Sequence, residues 1–222
     1  MATTRMNGVR AEYRQTGNGP DLLLLHSLLT EMSVFERVLP RLAQAHRVTC
    51  LNLPGFGASD PVELSSVGEH ADHVVRAMDA LSLPSIVDVF GNGFGAFVAL
   101  ELAIRHGARM GRLMVADTVP AFPEPAKAPF RGMAEKVRAT GISAILTPQS
   151  DACFRPRFRR LTPKSWPHAR PRLHRQTPYV LRAPAWHWRR SICGRNWRVF
   201  VTRRWSCVVC SIRRRRRPLP GK

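Results

Sequence analysis

Acidic residues run out early in this chain. Of its 222 residues, 35 are Lys or Arg and 15 are Asp or Glu, but residues 1–148 hold 14 of each. Residues 149–222 hold the remaining 21 cations and a single acid, Asp151, so the formal charge of +20 belongs wholly to the last third. Tryptophan is absent before residue 149: all five (Trp166, Trp186, Trp188, Trp197, Trp205) lie beyond Pro148, with four of the five cysteines. No stretch holds the ~20 uninterrupted apolar residues of a membrane-spanning helix, and Leu22 to Leu25 is only a short apolar run. MATTRMNGVR lacks the apolar segment of a secretory leader, which leaves the cytoplasm as the expected location. Cys207-Val208-Val209-Cys210 has the spacing of half a zinc site or of a redox pair, but Cys153 and Cys193 do not supply a matching second pair, so no metal is expected. So uneven a charge predicts a basic tail that binds nucleic acid or an anionic membrane, or else two unrelated sequences joined near Pro148.

Residues 1–148 alternate between two periodicities. Val9 to Gln15 reads as a first strand, ended by Gly17-Asn18-Gly19-Pro20. Asp21 to His26 and Arg47 to Leu53 are continuous apolar runs, the form of strands covered on both faces of a parallel sheet. A helix is predicted from Ser33 to about Gln44, with Phe35, Val38, Leu39 and Leu42 on one face, and a second from about Ser66 to Leu81 with Val74, Val75, Met78 and Leu81 on its apolar face. His70, His73 and His106 are expected on helix surfaces. A strand from Arg112 to Ala116, ending at Asp117, and a helix around Lys127 to Thr140 complete the pattern. Strands alternating with helices imply an α/β fold with right-handed crossovers and a mostly parallel sheet.

The stretch that organises this part is Asp88 to Leu100. A β-branched run enters the turn Gly91-Asn92-Gly93-Phe94-Gly95, and a helical pattern leaves it, the strand–turn–helix layout of a G-x-S-x-G nucleophile turn. LLLLHSLLT, LNLPGFGASD, GNGFGAFVALELAIRHG and GRLMVADTVPAFPE, in that order, resemble the corresponding segments of α/β-hydrolases. His26-Ser27-Leu28 is most similar to the 3-oxoadipate enol-lactonase-like branch. The resemblance spans about residues 8–148 and implies a partial α/β-hydrolase sheet with flanking helices and the start of a helical cap at Lys127 to Thr140. It also implies a cofactor-independent hydrolase of a small-molecule ester or lactone, with the amides of Leu28 and Phe94 as oxyanion donors and His26 orienting the oxyanion turn.

The centre of the turn is Gly93, where the family carries its nucleophile, and glycine forms no acyl-enzyme. The family's acid and histidine are expected after residue 148. Neither pattern is visible there: His168, His174 and His187 fit no strand end. Earlier in the chain, Asp117 follows a strand and reads as a helix or loop cap, with a triad acid in a variant arrangement as the alternative. Two accounts of residues 149–222 follow. A hydrolase-like module with a basic tail would grip phosphates through Arg213 to Arg217 and stack bases on its tryptophans. Alternatively, residues 149–222 are out-of-frame sequence without a fold, poorly ordered. Codons read one base earlier across Arg204 to Ile212 permit an apolar run ending in Asp, like the family's acid-bearing strand. In that case the uncovered edge of the sheet would be open to aggregation.

Overall fold

The computed structural model describes residues 1–119, 122, 124–141 and 144, together with the strands 197–201 and 208–212. Eight strands and four α-helices are numbered in chain order: β1 (Ala2–Met6), β2 (Val9–Thr16), β3 (Asp21–Leu25), α1 (Leu39–Leu42), β4 (Arg47–Leu51), α2 (Val67–Ala80), β5 (Val87–Asn92), α3 (Phe94–His106), β6 (Met110–Ala116), α4 (Glu124–Thr140), β7 (Trp197–Val201) and β8 (Val208–Ile212). Six strands form one sheet in the order β1-β2-β4-β3-β5-β6. β4, β3, β5 and β6 run parallel to one another, and β2, paired antiparallel with both β4 and β1, adds an antiparallel edge.

Both faces of the parallel strands are covered, as their unbroken apolar runs imply. On β3, Leu23 and Leu25 point into the larger core, shared with Val89 and Leu113 and with Val74, Met78, Val98 and Leu102 of α2 and α3. Leu22 and Leu24 point the other way, onto Val48, Cys50, Met32, Phe35 and Leu39. Each such leucine contributes about 1.5–3 kcal/mol on burial. Burial also pushes the Cys50 thiol up to about 12, which leaves it unreactive.

Three expectations change. β1 was not foreseen: it pairs with β2 through the two-residue turn Asn7-Gly8, both with positive φ (49° and 85°), the form that matches strand twist. The helix expected over 33–44 is broken into a short 3-10 turn at Met32–Phe35 and α1, and Val38 is 48% exposed. Pro40 explains the break, since it has no N–H and its ring clashes with the carbonyl four residues earlier. His70 and His73 are buried, not on the surface, at 1% and 3% exposure. α2 packs against both α3 and β1, so its covered face is wider than a single stripe. His106 is half-buried and bonds Asp72 through Nε2 at 2.6 Å.

α2 starts where the sequence marks it. Ser66 Oγ accepts from Glu69 N at 3.2 Å, and the Glu69 carboxylate accepts from the Ser65 hydroxyl at 2.8 Å and from the Ser65 amide, a variant of the reciprocal cap. These bonds hold the Glu69 carboxyl below its usual range.

Beyond Pro148, β7 and β8 pair antiparallel as a separate two-stranded sheet, and β8 lies alongside β6 at the edge of the main sheet. The remaining expectations for residues 149–222, including the arginine run, the Cys207 pair and His168, His174 and His187, lie outside the described residues.

Candidate functional site

β3 and β5 are adjacent and parallel, so the segments following them emerge side by side at the same end of the sheet. There the turn His26-Ser27-Leu28-Leu29-Thr30 meets the sharp turn Gly91-Asn92-Gly93-Phe94-Gly95. Gly95 N–H donates to His26 O at 3.0 Å, and Gly93 N–H donates to Ala116 O at 3.0 Å, which joins the turn to the end of β6. The contact is too close for side chains. A Cβ on Gly95 would sit 2.3 Å from Leu25 O, and one on Gly91 would sit 2.3 Å from Gly95 O. Gly93 has φ 52° and ψ −114°, a conformation that strains any L side chain, and it is the residue from which α3 departs.

His26 is fully buried and organises the first turn. Leu53 N–H donates to its Nε2 at 3.0 Å, so that nitrogen carries no proton. The proton is then on Nδ1, which donates to Ser27 O at 2.9 Å. Thr30 adds two more donors to the same carbonyl, its hydroxyl at 2.8 Å and its amide at 3.3 Å. With the Ser27 carbonyl held inward, the planar trans peptide turns the Leu28 N–H the opposite way. The ring of Phe56 meets His26 edge-on at 4.8 Å. Desolvation lowers the His26 pKa to about 4 despite its bond to Ser27, so the ring stays neutral.

His70 is the residue here that helical periodicity missed. Its ring stands edge-on to Phe94 with centroids 5.1 Å apart, and neither ring nitrogen has a hydrogen-bond partner among the described residues. Burial lowers His70, and also His73, to about 4. Phe97, on the next turn of α3, leads through Phe122 to Phe130 of α4, with centroids 5.6 and 5.1 Å apart. Asp117 is exposed with φ 54° and has no hydrogen-bond partner among the described residues. Among those residues no group of three or more His, Cys, Asp or Glu converges on one point, and no helix is long and apolar enough to cross a membrane.

A mostly parallel sheet with a glycine-bounded turn between one of its parallel strands and the following helix is the architecture of α/β-hydrolases. The chain belongs to that family: the model described as alpha/beta hydrolase fold matches residues 20–185, a span that runs past Pro148 into the basic segment. It is 34% identical over 113 residues to 2-hydroxymuconate semialdehyde hydrolase of Pseudomonas sp. (strain CF600), covering 49% of this chain and 40% of the relative. It is also 34% identical over 130 residues to the pimeloyl-[acyl-carrier protein] methyl ester esterase of Aeromonas hydrophila, covering 59% of this chain and 49% of the relative. The chain thus spans less than half the length of these relatives. Among solved structures, the enol-lactonase from Burkholderia xenovorans LB400 superposes with a TM-score of 0.59 at 25% identity, covering 68% of this chain and 58% of that one. The thermophilic esterase from Thermogutta terrifontis shares the fold, with a TM-score of 0.64 at 23% identity and coverage of 82% and 68%.

Two outcomes test this arrangement. Gly95→Ala forces a methyl against the Leu25 carbonyl and is expected to cost about 3 kcal/mol in urea unfolding. Gly107→Ala, whose methyl meets nothing within 4 Å, serves as the neutral control. The second concerns pH. His26, His70 and His73 each have a folded pKa near 4 against 6.5 unfolded, so between these values the unfolded chain binds more protons. Stability is full above about pH 6.5 and falls toward pH 4, by up to about 1.4 kcal/mol per pH unit for each ring. Urea midpoints from about pH 7 to about pH 4.5 should show this slope, and His70→Phe should flatten it. A flat profile across that window would contradict the buried neutral rings.

Proposed function

We propose that this chain stems from cofactor-independent hydrolases of small esters or enol-lactones and does not itself turn such substrates over. The observation that carries this reading is Gly93 at the centre of the strand–turn–helix. Attack on an ester carbonyl needs a nucleophile at that point, a base to take its proton and donors for the oxyanion that forms. In this reading the donors are the amides of Leu28 and Phe94. His26 does not titrate in the reaction, because both of its ring nitrogens are engaged in holding the turn. Its role is to keep the Leu28 amide aimed outward. Gly91, Asn92 and Gly95 build the turn, and Gly93 leaves the substrate carbon without an attacking atom at that position. The enol-lactonase and esterase similarities support small acyl compounds as the ligand class.

The purified chain is expected to show no sustained turnover of p-nitrophenyl acetate above the buffer blank. Removing a nucleophile leaves only the residual effect of binding and oxyanion donors. Saturable turnover that continues over many equivalents per chain would overturn the reading.

The charge of residues 149–222 favours a second reading, a non-catalytic hydrolase-like module that attaches to nucleic acid or an anionic membrane. That reading expects the full chain to bind duplex DNA with an affinity that falls steeply as salt rises, as release of several counterions requires. Binding that is absent at low salt, or insensitive to salt, removes it.

A further inference from the structure

We propose that Ser27 stands in the space of the missing side chain of the sharp turn, and that its hydroxyl accepts an acyl group from an activated ester. This rests on the reading that residue 93 no longer does so. A Cβ built on Gly93 would lie 2.1 Å from Ser27 Oγ and 2.9 Å from Ser27 Cβ. The Ser27 oxygen is therefore little more than a covalent bond's length from the point where a residue-93 side chain would begin. The two positions share one volume, and only one of them can fill it.

The backbone of Ser27 is fixed while its hydroxyl is uncommitted. Its carbonyl receives the Nδ1 proton of His26 and both donors of Thr30. Its Oγ has no hydrogen-bond partner among the described residues, and the residue is only half-buried, so a small ester can reach it. The peptide that follows presents the Leu28 N–H on the side away from the Ser27 carbonyl. A rigid backbone, a free hydroxyl and an adjacent outward amide supply position, nucleophile and one oxyanion donor, and the base has to come from solvent.

The step balances without any further group from the protein. Ser27 Oγ adds to the carbonyl carbon of an aryl ester, and its proton passes to hydroxide from solvent, giving water. The carbonyl electron pair moves to oxygen and then returns as the bond to the aryl oxide breaks. The products are acyl-Ser27, the aryl oxide and water. No histidine contacts Ser27 Oγ among the described residues, since His26 faces the carbonyl of Ser27 instead. Nothing there activates water against the acyl-serine, so the reaction stops at one equivalent.

The test is p-nitrophenyl acetate on the full chain, followed by release of p-nitrophenolate and by mass mapping of the acetylated peptides. The expected result is a burst approaching one equivalent per chain, with acetyl on Ser27 formed about tenfold or more faster than on the same serine in the urea-unfolded chain. Ser27→Ala should abolish the burst. Ser27→Cys, which keeps a nucleophile at the same place, should still be acetylated, and it guards against an Ala variant that fails to fold. Gly93→Ser combined with Ser27→Ala should move the acetyl to position 93. Acetyl confined to lysines and the N-terminus, a burst that survives in folded Ser27→Ala, or a folded Ser27→Cys that stays unlabelled would each overturn the proposal. Sustained turnover that persists in Ser27→Ala would instead overturn the loss of catalysis, so the two failures are distinguishable.

Discussion

Backbone against backbone, where β3 ends and α3 begins, is the contact on which the rest of this structure depends. Gly95 packs against the carbonyls of Leu25 and His26 at distances that exclude even a methyl group, and its amide bonds the His26 carbonyl. This contact sets the distance between β3 and α3 and hence the depth of the larger core beneath α3. It also brings two turns from distant parts of the chain into one place. Because parallel strands begin and end at the same sheet edges, the turns after β3 and β5 could meet only there.

His26 transmits that constraint sideways. One nitrogen accepts from Leu53, at the exit of β4, and the other donates to the carbonyl of Ser27. A single neutral ring thus ties the loops after β3 and β4 together and orients the peptide beside the sharp turn. Burial is what holds the ring neutral, and a second ring proton would in addition face the Leu53 N–H. The loop after β4 is held from its other side by Glu12, whose carboxylate accepts from Asn52 Nδ2 at 2.8 Å and Ala58 N at 2.6 Å. The site is therefore framed by β2, β3, β4 and β5 together, and its geometry belongs to the sheet rather than to any one loop.

Much of this was legible from residues alone, because most of it is local. Unbroken apolar runs marked β3 and β4, and the glycine spacing with its β-branched lead-in marked β5, the turn and α3. Asn7-Gly8 carries a hairpin signal as plain as any in the chain, but β1 lies outside the segments that resemble the family. Pro40 likewise contradicted a continuous helix over 33–44. The burial of His70 and His73 was not legible, since helical periodicity reports one face and α2 is covered by two partners. The filling of the Gly93 space by Ser27 was the least legible of all. It depends on a contact between residues far apart in sequence, and neither position carries a local mark of the other.

That contact changes how Gly93 is understood. A serine at position 93 would adopt a backbone conformation that costs an L residue about 1–3 kcal/mol. It would also displace the Ser27 side chain, at about 0.5–1.5 kcal/mol if Ser27 is pushed off its rotamer. Glycine relieves both costs, so stability alone favours the residue now present, and only a benefit in catalysis would offset them. The space a side chain at 93 would enter is already filled, because a Cβ there would lie 2.1 Å from Ser27 Oγ. A side chain added at 93 therefore has to be accommodated at two positions, and in the proposed acylation the reacting atom is the Ser27 hydroxyl that fills that space.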